Sequence, residues 1–166
     1  MNSNAELNPL YSTDIDIRIG DINYGGHMGN DRYLLLFHEA RLRFLRSIGC
    51  SEADIGEGVS LIMSEAHINY WGEVGYGDVL TAEVGVEELK SVRFTVTFTL
   101  RKKADGAEAD TAGLKKEGRS SRPETGRAVA GGYTVMAGFD YAGKKLAKIP
   151  ESFKTKIRTL QTDPGG

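Results

Sequence analysis

Asp21-Ile22-Asn23-Tyr24-Gly25-Gly26-His27-Met28-Gly29-Asn30 runs directly into Asp31-Arg32-Tyr33-Leu34-Leu35-Leu36-Phe37-His38-Glu39-Ala40-Arg41, the head of a helical pattern that continues to Ile48. Leu34, Phe37, Arg41, Phe44, Leu45 and Ile48 recur at helical spacing. Asn30 or Asp31 can cap the start, and Gly49 ends the helix. Leu35, Leu36 and Leu42 fall on other faces. A helix apolar nearly all round is expected to be wrapped by other structure.

Working outward, Tyr11 to Gly20 sets Ile15, Ile17 and Ile19 against Asp14, Asp16 and Arg18, a period-two pattern that predicts a strand with one buried face. Downstream come four more strand candidates: Ser60 to Trp71, Asp78 to Leu89, Val92 to Lys103 and Arg127 to Tyr141. The third alternates most cleanly, with Val92, Phe94, Val96, Phe98 and Leu100 on one face. Gly75-Tyr76-Gly77-Asp78 and Glu87-Glu88-Leu89-Lys90 sit where hairpin turns are needed. Strand, long helix, then four strands without intervening helices excludes a doubly wound parallel sheet. It predicts an α+β layer with one antiparallel sheet around one helix. Ala104 to Gly126 lacks apolar periodicity and reads as a mobile hairpin extension. Pro150 to Leu160 places Phe153, Ile157 and Leu160 on one side, as a short docked helix would. The expected organisation is a flexible start over 1–10, one domain over 11–160 and a frayed tail over 161–166.

The chain has 166 residues, 40% of them hydrophobic, and a net charge of -2, which suits one globular domain that needs no disulfide or structural metal. Cys50 is the only cysteine, and His27, His38 and His67 show no metal-ligand spacing, so no metal is expected. Met1 to Leu10 lacks the basic start and apolar run of a secretory signal, which points to the cytoplasm. Apolar runs are too short to span a membrane, and the balanced charge argues against nucleic acid.

Chemistry concentrates where the turn meets the helix. Backbone N–H groups there have no internal partner and carry the positive end of the helix dipole, so a developing oxyanion is stabilised. Asn23, His27 and Glu39 supply side chains that could orient or activate water, a combination that suggests hydrolysis of an ester or thioester. Each also has a plainer reading. Glu39 can pair with Arg43 at i+4, Asn23 can satisfy its own turn, His27 can bond within the turn, and Asp31 can serve as a first-turn anion. Glu65 and His67 share a strand face with Met63 and Asn69 and need partners if buried. Arg101-Lys102-Lys103 could meet phosphates or form a solvated tip.

The order of strand, Asp21-x-x-x-x-Gly26-His27-Met28-x-Asn30 turn, helix with Tyr33 and Glu39-Ala40-Arg41, and strands with a Tyr76-Gly77-Asp78 turn resembles the hotdog-fold acyl-CoA thioesterases of the 4-hydroxybenzoyl-CoA thioesterase-like group. The resemblance runs from Tyr11 to Leu160 without the 104–126 insertion. It implies a curved antiparallel sheet wrapped around one long central helix, and a homodimer or homotetramer with sites at the subunit interface. It also implies an acyl-CoA or acyl-carrier thioester as substrate, with coenzyme A as part of that substrate and no separate cofactor. The Asn30 N–H would polarise the thioester carbonyl, with Gly26, Met28, Gly29 and Tyr33 about the substrate. Many relatives carry a catalytic aspartate four residues before the position of His27. Here that residue is Asn23, which cannot accept a proton. Glu39 stands first among the carboxylates that could replace it, then Asp31, then Asp21. Two other readings stay open: an acyl-CoA-binding module without turnover, and an enoyl-CoA hydratase using Asp21 and His27.

Overall fold

A computed structural model describes residues 9–103 and 126–162. Residues 1–8, 104–125 and 163–166 lie outside the described residues, and with them nearly all of the expected insertion and most of both expected flexible ends.

Among the described residues, six strands and two helices follow in the order β1 (Tyr11–Asp16), α1 (Asn30–Ser47), β2 (Ser60–Tyr70), β3 (Val79–Glu87), β4 (Arg93–Lys102), β5 (Ala128–Asp140), β6 (Lys145–Leu146) and α2 (Glu151–Thr162). The sheet runs β1-β3-β4-β5-β2, with β6 attached to β5, and every pairing is antiparallel. The clean alternation in β4 buries Phe94, Val96, Phe98 and Leu100 against the helix side. β3 answers with Leu80, Ala82, Val84 and Val86. Between these rows and α1 lies the core, where Phe37 stacks on Phe98 with ring centroids 4.4 Å apart. Burying such aromatic pairs supplies the largest single packing terms of a small domain.

Three expectations change at this level. β1 ends at Asp16, and Ile19–Asp21 forms one 3-10 turn that leaves Ile19 exposed. The alternation ran on past the strand because a period-two pattern cannot mark the point at which a chain leaves a sheet. The cap residue of α1 is Gly29, with Asn30 and Asp31 already in the first turn. Finally, although the sheet wraps α1, Leu35 and Leu42 stay exposed in the single chain.

The far end of α1 closes as expected at Gly49, whose φ of +68° is the left-handed conformation that glycine adopts most readily. Lys156 of α2 then donates to the carbonyl of Ile48 at 2.8 Å, a cation at the negative helix end. Phe153 and Ile157 seal α2 onto the core, Phe153 lying 5.3 Å from Phe94.

A bulge in β2 decides what faces the helix. Met63 pairs with Met136 and Glu65 with Val135, so the register shifts around Ser64. A one-residue shift sends every later side chain to the opposite face. Met63 therefore stays on the helix side, while Glu65, His67 and Asn69 face away and are exposed, contrary to the single face read from the sequence. Tyr133 satisfies Glu65 with a 2.7 Å hydrogen bond and stacks on His67.

Candidate active site at the start of α1

The loop before α1 is built from its own backbone. Asn23 N–H donates to the His27 carbonyl at 2.8 Å, Gly26 N–H to the Asn23 carbonyl at 3.1 Å, and Met28 N–H to Val74 at 2.8 Å. Gly26 takes φ +80°, which a side chain would resist. The Asn23 side-chain oxygen accepts from Gly25 N–H at 2.8 Å, the turn role that asparagine commonly fills. His27 stands half exposed with Nδ1 3.7 Å from Glu73. The Asp21 carboxylate accepts Arg18 N–H at 2.8 Å.

This loop delivers an 18-residue helix whose start receives no side-chain cap, because Gly29 has none to give. The leading amides and the dipole of α1 therefore face outward together. A Cβ built on Gly29 would stand 2.6 Å from Asp31 Oδ1, so the Asp31 carboxylate folds back over that start. Tyr70 roofs the same turn, its hydroxyl donating to the Asn30 carbonyl at 3.2 Å. Its ring meets Tyr33 edge-on at 4.9 Å. Tyr33 and Met28 are buried in the core, and burial, with Tyr70 alongside, pushes the Tyr33 phenol above its ordinary range.

From Asp31 a groove of about 410 Å³ runs between α1 and β2, lined by Leu34, Leu35, His38, Arg41, Glu52, Leu61, Met63 and Met136. Residues 31, 34, 35 and 38 share one helix face by their three- and four-residue spacing. Glu39 lies nine residues beyond Asn30, half a revolution round the helix and about 13 Å along it. Its carboxylate accepts from Arg43 at 2.5 Å, and Arg43 also donates to Thr13 and to the Asp14 carbonyl on β1. Of the sequence's candidates, then, Asp31 lines the groove and Asn30 precedes it at the start of α1. Asn23, His27, Gly26 and Gly29 form the adjoining loop, Met28 and Tyr33 support it from the core, and Glu39 is turned toward β1.

The sequence reading missed the polar cluster inside the groove. Arg41, only 4% exposed, donates from Nε to Glu52 at 2.6 Å and from Nη1 to Thr134 at 3.2 Å. His38 Nε2 lies 3.0 Å from the other Glu52 oxygen. The one available signal was an arginine at an otherwise apolar helical position. Its partners, 11 and 93 residues away, carry no local pattern. The basic run resolves more plainly: Arg101 pairs with Glu83, Lys102 with Asp78 and Lys103 with Asp14. No helix among the described residues is long and apolar enough to cross a membrane.

Comparison with known proteins agrees with this architecture. The chain is 24% identical over 156 residues to an L-carnitine dehydrogenase/betainyl-CoA thioesterase of Rhizobium sp., covering 94% of this chain and 27% of that protein. It thus spans about a quarter of that curated relative's length. Among solved structures, a 1,4-dihydroxy-2-naphthoyl-CoA thioesterase from Synechocystis superposes with a TM-score of 0.71 at 18% identity, covering 91% of this chain and 97% of its own. A Staphylococcus aureus protein solved in complex with CoA gives 0.72 at 22%, covering 92% and 84%. The profile of the thioesterase-like superfamily matches residues 17–157. With most of its length matched by that profile and the same sheet-and-helix architecture in its structural neighbours, the chain belongs to the thioesterase-like superfamily and has the hotdog fold.

Proposed function

We propose that the protein hydrolyses an acyl-CoA thioester to a free acid and coenzyme A at the start of α1. The observation that carries this reading is the uncapped end of α1 opening onto an apolar groove, in a chain of the thioesterase-like superfamily. The Asn30 N–H holds the thioester carbonyl oxygen, water adds to the carbonyl carbon, and the C–S bond breaks as the thiolate leaves and takes up a proton. Preorganised donors of this kind lower the barrier by about 3 kcal/mol, roughly a hundredfold in rate. Asn23, His27 and the loop glycines keep the amide open to the substrate. A carboxylate accepts the water's proton. Asp31 lines the groove, with Arg32 Nε 3.3 Å from its carboxylate, and is favoured over Glu39, which turns away to Arg43 and β1.

The substrate reading gains support from a relative and a neighbour described as CoA thioesterases and from a second neighbour solved with CoA. A homodimer through β2 completes the proposal. Among the described residues β2 is an edge strand of eleven residues paired only with β5, and Met63, Tyr70 and Trp71 stand exposed on it or just beyond it. Long uncovered edges of this kind recruit another strand.

A second reading, binding of acyl-CoA without turnover, draws support from the engagement of Asn23 with its own turn and of Glu39 with Arg43. One experiment separates the two. Thiol release is followed on aliphatic and aromatic acyl-CoAs for wild type, Asp31→Asn, Glu39→Gln and Asp21→Asn, each checked for folding by circular dichroism. Hydrolysis reduced about a hundredfold by Asp31→Asn and little by Glu39→Gln is expected. Loss with Glu39→Gln alone returns the base to Glu39, and loss with Asp21→Asn alone moves it to Asp21. Saturable binding with no thiol released by wild type refutes hydrolysis.

A further inference from the structure

The groove is apolar along its walls and polar at two places, Asp31 at the mouth and the cluster of His38, Glu52 and Arg41 farther in. A salt bridge of which Arg41 is almost wholly buried is costly to place beside an apolar channel. Clamping the segment after α1 accounts for Arg41 and Glu52, but not for a half-exposed histidine drawn onto the same carboxylate along the groove.

The chemistry of the cluster is constrained. A carboxylate can only accept hydrogen bonds, so the His38 Nε2 that meets Glu52 at 3.0 Å carries a hydrogen. An imidazole whose single hydrogen sits on Nε2 offers Nδ1 as an acceptor. Arg41 donates to Glu52 and Thr134, Arg32 Nε lies 3.3 Å from Asp31, and the Asp31 and Glu52 carboxylates line the groove, so an uncharged hydrogen-bond donor suits it better than a carboxylate.

Length follows from the helix. His38 lies eight residues beyond Asn30, about 12 Å along the axis, and helical side chains lean back toward the N-terminus. The imidazole therefore stands roughly 7 to 9 Å from the amide proposed to hold the carbonyl, a span of about six to eight chain atoms in an extended acyl group. The walls at Leu34, Leu35, Leu61, Met63 and Met136 are flexible aliphatic and thioether side chains that suit a linear chain. We propose that the His38–Glu52–Arg41 cluster recognises a hydroxyl at the far end of a medium-length aliphatic acyl chain, making hydroxyacyl thioesters the preferred substrate class. This rests on the reading above that the acyl chain lies in the groove.

Binding is measured by calorimetry with three thioethers that cannot be hydrolysed: S-hexyl-CoA, S-(6-hydroxyhexyl)-CoA and S-(5-carboxypentyl)-CoA. Wild type should bind the hydroxylated compound about tenfold more tightly than the hexyl compound, the worth of one hydrogen bond in a partly hydrated site. The ratio should fall to near one in His38→Leu and recover in part in His38→Gln, whose amide can accept. Equal binding of the first two by wild type, preference for the carboxylate, or a ratio untouched by His38→Leu overturns the proposal. Thiol release from 6-hydroxyhexanoyl-CoA is followed in parallel. Selective binding without release refutes the hydrolytic function and supports the end-group reading. Release from both hexanoyl- and 6-hydroxyhexanoyl-CoA with no selectivity in binding does the reverse.

Discussion

Replacing Arg41 with methionine removes a buried cation while keeping most of its packing volume. Arg41 is 4% exposed and makes two side-chain hydrogen bonds, to Glu52 at 2.6 Å and Thr134 at 3.2 Å. Breaking a buried ion pair from one side costs about 3 to 5 kcal/mol, because the remaining charge is left without its counterion. Glu52 keeps His38, and its side chain is 25% exposed, so water recovers part of that loss and the lower end applies. The fully buried Thr134 hydroxyl loses its donor, adding about 1 kcal/mol. The expected destabilisation is therefore about 3 to 4 kcal/mol, or roughly 10 °C in Tm for a chain of this size. Urea unfolding followed by circular dichroism measures it. In Arg41→Met/Glu52→Gln the unpaired charge is gone, so the double variant should be more stable than Arg41→Met by about 1 to 2 kcal/mol. A loss below about 1 kcal/mol for Arg41→Met, or a double variant whose loss equals the sum of the single losses, refutes the view that Arg41 is held by its charge partner.

A Cβ added at Gly132 would stand 1.9 Å from the His67 carbonyl oxygen on β2, a backbone atom that cannot turn aside. Gly132→Ala should thus lower Tm sharply and increase hydrogen exchange along β2 and β5, and unchanged exchange there would contradict the close approach. Hydrogen bonds from Lys103 and Thr81 hold the Asp14 carboxyl below its usual range. A depressed folded-state value stabilises above the unfolded value and is lost as pH falls through the folded one. Urea midpoints should accordingly drop less between pH 5 and pH 2 in Asp14→Asn than in wild type, by a small margin because the group is exposed; identical acid limbs would show that the pairs contribute nothing.

Much of the fold was legible in the sequence because it rests on local periodicity. The alternation of β4 and the apolar spacing of α1 each report which side of one element must leave water, and their order along the chain leaves room for few architectures. Gly49 marked the end of α1 for an equally local reason, a backbone conformation that favours glycine. The loop from Asp21 to Asn30 was likewise readable as a distinct turn ahead of a helix. What escaped was whatever depends on which elements become neighbours. The bulge at Ser64 turns Glu65 and His67 outward although the sequence still alternates, because register is a property of the pair β2 and β5. Glu39 and His38 are adjacent in sequence, yet one faces Arg43 and β1 while the other faces Glu52 and the groove. A 100° step per residue separates neighbours on a helix, and only the placement of the sheet decides which of them looks into a pocket. Periodicity and backbone conformation were enough for one antiparallel sheet around a long helix and for the exposed start of α1, and the resemblance of the motifs added the hotdog fold. Tertiary structure alone brought Arg41, Glu52 and Thr134 together, because a buried charge takes its partners from wherever the folded chain places them.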